Sequence, residues 1–154
     1  MELDDPHPTA TRLIESVSDK IETYESPEVF LDTFAAVPRA HGLLYAVWRC
    51  DAEVCNGGFH QFFDNAAGIL APEAIQGFAA IGQPRLGELV SQAQEKLSSP
   101  DVRNFRDRWA ALGRLAENAF KGLDEQYYKL RSLDGGGFEH AIERYAKAAA
   151  GADP

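Results

Sequence analysis

The chain has 154 residues, 45% of them hydrophobic, and 15 bases against 24 acids give a formal net charge of −9. This length and apolar content suffice for one domain with its own core and exclude a wholly disordered polymer, while the charge disfavours direct binding of nucleic acid or of an anionic membrane surface. The excess is lopsided: residues 1–77 hold 13 acids and 4 bases, and residues 78–154 hold 11 of each.

Residues 1–10 are expected to form a mobile N-terminus, and helices follow nearly everywhere. In "TATRLIESVSDKIETYES" the apolar positions Leu13, Ile14, Val17, Ile21 and Tyr24 recur at threes and fours, one stripe of a 3.6-period helix. Ser26 followed by Pro27 reads as an N-cap and a first-turn proline that open a second helix, closed before Pro38. A third runs from about Arg39 into Cys55. Pro72 opens "PEAIQGFAAIG", stopped by Gly82, and Pro84 opens "PRLGELVSQAQEKL". Ser99 is expected to cap the longest helix, 100–120, with Phe105, Trp109, Leu112, Ala116, Ala119 and Phe120 on its buried face. "LDEQYYKL" forms a short turn of helix, "DGGG" at 134–137 a break, and "FEHAIERYAKAAA" a closing helix. No alternating β pattern, linker or repeat interrupts them. The expectation is one all-α domain over residues 1–154 with about eight helices.

The densest cluster of special residues is "EVCNGGFHQFFDNAAG", residues 53–68. "NGG" suits a helix end, where left-handed backbone caps the last carbonyls, and Phe59, Phe62 and Phe63 at i, i+3 and i+4 plant the next helix in the core. Asn56, His60, Gln61, Asp64 and Asn65 remain as polar residues. His60 and Asp64, one turn apart, can pair or share a ligand, but one His and one carboxylate fall short of the three protein ligands of a catalytic zinc site. Neither a metal nor another cofactor is expected.

Cys50 and Cys55 match neither a CxxC pair nor a zinc knuckle, and point to different sides of a helix as reduced thiols. His7, His41 and His140 stand apart from other ligands. There is no GxSxG elbow, P-loop or HExxH, so no catalytic residue is expected and the chain reads as a non-enzyme. No apolar run approaches the ~20 residues of a membrane span. The acidic start "MELDDPHPTATR" is unlike a signal peptide, which gives a cytoplasmic expectation.

The opening cluster, then "APEAIQGFAAIG", then "AFKGLDEQYYKL" resemble a small bacterial all-helical domain family that includes a DNA-mimic protein. Its pattern falls on Asn56, Gly57, Gly58, Phe59, Gln61, Phe62, Asn65 and Gly68, then Ile81 and Gly82, then Leu123, Asp124 and Tyr127 or Tyr128. The likeness spans roughly residues 40–130. It implies a helical fold, a homodimer and, for the mimic member, blockade of the DNA-binding face of a helix-turn-helix regulator.

Mimicry asks for carboxylates at a density approaching that of phosphates, and an acid every fourth residue of a helix repeats each ~6 Å. Glu15, Asp19 and Glu22 have that spacing, continued by Glu25, Glu28 and Asp32, with Arg12 and Lys20 diluting it. This acidic face is the expected surface for a basic protein, a DNA-binding regulator or a nuclease. Arg103, Arg106 and Arg108 could instead neutralise it from within, leaving an ordinary solvated helix face. Two other readings stay open: an immunity- or antitoxin-like inhibitor of a basic toxin nuclease, and a small-molecule or enzymatic site centred on Asn56–Asn65.

Overall fold

The computed structural model describes residues 4–133 and 137–152, so of the break expected at 134–137 only Gly137, the first residue of the last helix, lies within the described residues. The helices are α1 (Pro8–Ser18), α2 (Pro27–Ala36), α3 (Arg39–Asp64), a short 3₁₀ helix (Ala66–Leu70), α4 (Ala71–Ala80), α5 (Pro84–Leu97), α6 (Phe105–Gly113), α7 (Lys121–Arg131) and α8 (Gly137–Ala152). The protein is all-α, and no strand occurs among the described residues. Within them, no helix is long and apolar enough to cross a membrane.

Helix α3 is the axis, packed by α1, α4, α6, α7 and α8, while α4 and α5 form an antiparallel pair at its side. The "GFHQFF" phenylalanines supply the centre of the core: Phe59, Phe62 and Phe63 are fully buried. Phe59 meets Tyr127 edge-on at 5.8 Å, and Phe78 meets the same ring at 6.2 Å, so one tyrosine of α7 joins α3 to α4. Each such pair adds about 1 kcal/mol beyond the area it buries.

Pro27, Pro72 and Pro84 sit in the first turns of α2, α4 and α5 as read from the sequence. Ser26 caps α2 by accepting the Val29 N–H, and Gly82 takes a left-handed φ of 84° after α4. Three expectations are corrected. Helix α1 starts at Pro8, inside the segment expected to be mobile, and Ala10 is fully buried. The carboxylate of Glu143 on α8 accepts the Ala10 and Thr9 N–H groups at 2.9 and 3.3 Å and so supplies a cap from the far end of the chain.

Helix α1 also stops at Ser18 instead of running to Ser26. The Ser18 hydroxyl bonds back to the Ile14 carbonyl, the Glu22 N–H finds Thr33 Oγ1 at 2.9 Å, and Thr23 Oγ1 lies 3.0 Å from the Tyr45 hydroxyl. Side-chain partners on α2 and α3 thus replace the helical ones, and Tyr24 is thrown out to solvent. The third correction concerns 100–120. Only Phe105–Gly113 is α-helical there, because Asp101 bonds the Arg103 N–H in a tight turn and Asn104, not Ser99, caps by accepting from Asp107. Leu112 and Phe120 are buried as expected, whereas Phe105, Trp109 and Ala116 are exposed.

Candidate functional site

The cluster at 53–68 is a break in α3. Gly57 (φ −152°, ψ 21°) and Gly58 (φ 72°, ψ −175°) leave the helical region, and the helix resumes at Phe59 on a new course. The positive φ expected of "NGG" falls on Gly58. Both positions are also crowded by side chains. A Cβ at Gly57 would strike the Gln61 side chain, and one at Gly58 would lie 2.5 Å from an Asp124 carboxylate oxygen. That carboxylate approaches for a reason: its Oδ1 accepts the Phe59 N–H at 2.9 Å, capping the restarted helix where the dipole favours a negative charge.

Helix α7 clasps the break with one face. Besides Asp124, Tyr128 donates its hydroxyl to the Val54 carbonyl at 2.9 Å, just before the break. Tyr127 donates to Asp51 Oδ1 at 2.8 Å, and Arg131 grips both Asp51 oxygens at 2.9 Å. The family pattern left open Tyr127 or Tyr128, and both are used. On the opposite side, Glu53 Oε2 accepts from Gln61 and Asn65, each at 2.8 Å, and Asn56 donates to Gln61 Oε1 at 3.0 Å. Gly68 completes the set. Arg108 donates to the carbonyls of Phe63 and Asn65 at 2.9 and 3.1 Å, and a Cβ at Gly68 would crowd the guanidinium at 3.1 Å.

The electrostatics of this region keep its buried phenol and its thiols protonated. Burial, and then the Asp51 charge, push the Tyr127 phenol well up and the Cys55 thiol up to about 11. Cys55 donates weakly to Asp51 at 3.6 Å, and Cys50 is buried with its pKa likewise raised by burial. Thiolates are therefore suppressed at neutral pH. Asp124 is raised by burial, against the lowering effect of its Phe59 hydrogen bond.

His60 and Asp64 lie one turn apart on the restarted length of α3. Both are exposed, and no hydrogen bond or ion pair joins them among the described residues. His60 lines a groove with Asp124 and Lys121, and Asp64 lines a different cleft beside Trp109. Among the described residues no three His, Cys, Asp or Glu side chains gather as a metal site requires.

The six acids of the N-terminal segment are all exposed: Glu15 on α1, Asp19, Glu22 and Glu25 on the connection to α2, and Glu28 and Asp32 one turn apart on α2. Since α1 ends at Ser18, the fourfold helical repeat does not extend through Asp19–Glu25; instead those three acids line one cleft of about 350 Å³. Glu28 lies in a separate cleft with Asp101, Arg103 and Arg106. None of the six is in an ion pair among the described residues. The nearby arginines are engaged elsewhere: Arg103 holds Glu73 at 2.6 Å and the Ile69 carbonyl, Arg108 holds three carbonyls, and Arg49 faces Glu53 at 3.8 Å. Arg106 lies over the Phe105 ring at 6.0 Å.

Sequence reasoning passed over Asp51, Glu53 and Arg131, which anchor the break. The signal for them was present, since Asp124, Tyr127, Tyr128 and Arg131 follow the i, i+3, i+4, i+7 spacing of one helix face. A family model described as DMP19-like protein matches residues 35–149, in agreement with the family that the motif resembles. No curated protein and no solved structure matches the chain.

Proposed function

Because the chain belongs to the DMP19-like protein family, we propose that it is an acidic interaction module that covers the nucleic-acid-binding surface of a basic protein, as a DNA mimic does. The observation that carries this reading is that all six N-terminal acids stand in solvent without an ion pair among the described residues, while Arg103, Arg108 and Arg49 beside them are bound to internal acceptors. Six such carboxylates gathered in one segment of a chain of net charge −9 present a field that attracts and steers a cationic partner. The matched residues begin at 35, after all six acids, so the acidic surface rests on the geometry and the general role rests on the family.

This reading is non-enzymatic. Glu53, Asn56, Gln61, Asn65 and Asp124, most of the polar ring of the break, are occupied by their own hydrogen bonds, which leaves the exposed His60 and Asp64 as its remaining polar side chains. The partner is a cytoplasmic DNA-binding regulator or a nuclease, and the homodimer that the resemblance implies is checked by sedimentation.

The test is capture of the partner from native cytoplasm, followed by titration against Glu15→Gln, Asp19→Gln, Glu22→Gln and Glu25→Gln combined. Binding to the parent should compete with the partner's DNA and weaken steeply with salt, since exposed charges reach only about 8 Å at physiological ionic strength. A folded quadruple variant that binds as tightly and as salt-sensitively as the parent refutes the reading.

A further inference from the structure

Three large apolar side chains that the fold leaves in water line a single cleft. Tyr24 is 84% exposed, Trp109 51% and Phe105 37%, around an opening of about 420 Å³ floored by buried Phe30 and Ile69. Trp109 is held rigidly, its Nε1–H donating to the Asp64 carbonyl at 2.9 Å and its ring meeting Phe105 edge-on at 5.0 Å. A fixed, half-exposed indole at the mouth of an apolar cleft loses little conformational freedom on contact and is the kind of group that anchors protein interfaces.

The cleft's charges define what can enter. Arg103 and Arg108 contribute to its wall, but their guanidinium groups are committed to Glu73 and to backbone carbonyls. Its carboxylates, Glu25 and Asp64, make no ion pair among the described residues. On the other side of Tyr24 lies the acid-lined cleft, which shares Thr23, Tyr24 and Glu25 with the first and adds Asp19 and Glu22. Tyr24 is thus a ridge between an apolar recess and an acidic one.

We propose that the two clefts together seat a basic amphipathic helix of the partner protein. One aromatic or large aliphatic side chain enters beside Trp109, and a Lys or Arg about one turn, or ~5.4 Å, along the helix crosses the Tyr24 ring to reach Asp19, Glu22 and Glu25. The proposal rests on the acidic reading above for its cationic half and adds a contact that imitated phosphates cannot make. Charge then governs encounter, and the apolar anchor governs which cationic helix stays bound.

The probe is a short helical peptide with one Phe and an Arg one turn to each side, compared with a twin carrying Ala for Phe. Binding is followed by NMR through the backbone amide signals of the cleft residues in parent and variants, with the Trp109 indole N–H as an added reporter where it is present. The Phe peptide should bind about tenfold more tightly than its twin. Added salt should weaken both and leave their ratio unchanged, and Trp109→Ala should abolish the ratio. Tyr24→Ala, at a site too exposed to disturb the core, should reduce it. Equal binding of the two peptides, absence of saturable binding, or a ratio that survives both substitutions overturns the proposal. If the quadruple Gln variant keeps the parent's affinity and salt dependence while the ratio persists, the acidic reading fails and the anchor contact stands.

Discussion

The break in α3 and the α1–α2 connection are both rich in polar side chains, and they use their carboxylates in opposite ways. Around Gly57 and Gly58, Asp51, Glu53, Asn56, Gln61, Asn65 and Asp124 all find partners inside the chain. Around Tyr24, Asp19, Glu22 and Glu25 have none among the described residues. A residue pattern that marks a family can therefore be a record of how a helix is bent, while the carboxylates of the α1–α2 connection are side chains that the fold does not use as partners. Partnered polar groups are costly to remove because they leave buried counterparts unsatisfied; unpartnered exposed ones are not.

That contrast breaks most visibly at Asp51. Asp51→Ala strands the Tyr127 hydroxyl and the Arg131 guanidinium together, and should cost about 3 kcal/mol or more in chemical denaturation. A loss near that of a surface acid would show that the clasp of α7 contributes little.

Next comes the Gly58–Asp124 contact. Gly58→Ala should cost about 1–3 kcal/mol, from positive φ and from the approach of Asp124, and combining it with Asp124→Ala should be less than additive because the collision is then gone. Asp124→Asn keeps an acceptor for the Phe59 N–H and should cost less than Asp124→Ala. Its effect depends on pH in a definite direction. Burial raises the folded pKa, so the folded state holds the proton more tightly and the ionised group costs stability as the pH rises from the ordinary carboxylate range through the raised value. Subtracting the pH–stability curve of the Asn variant should reveal that component, and a difference of the opposite slope contradicts it.

The smallest effect belongs to the acidic rim. Replacing Glu15, Asp19, Glu22 and Glu25 by Gln should change stability by only about 0.5 kcal/mol per site, in either direction, in thermal unfolding. A large loss would mean that these acids support the fold and that the contrast between the two regions is false.

Helix starts were legible because Ser26–Pro27, Pro72 and Pro84 act locally, and so was the left-handed glycine, which needs only turn geometry. The end of α1 was not, because the atoms that stop it belong to Thr33 and Tyr45, and no helical period encodes a tertiary hydrogen bond. The same limit hid the cap on Phe59, whose acceptor is Asp124, 65 residues later. Trp109 misled for a different reason. Its spacing from Phe105 and Leu112 is that of a buried stripe, and only the shortness of α6 and the bond to Asp64 turn the indole outward. Hence the acids of the surface could be named from the sequence, but the aromatic cleft beside them could not.

The cap that Glu143 places on α1 has a consequence for the growing polypeptide. Helix α1 is made well before α8, which carries its cap and packs on it together with α3. Contacts so distant along the chain close late, after the intervening loop entropy has been overcome. The newborn α1 is therefore left with its apolar stripe uncovered until α8 has been made, and the acidic connection it leads into takes its final shape only when these two helices have met.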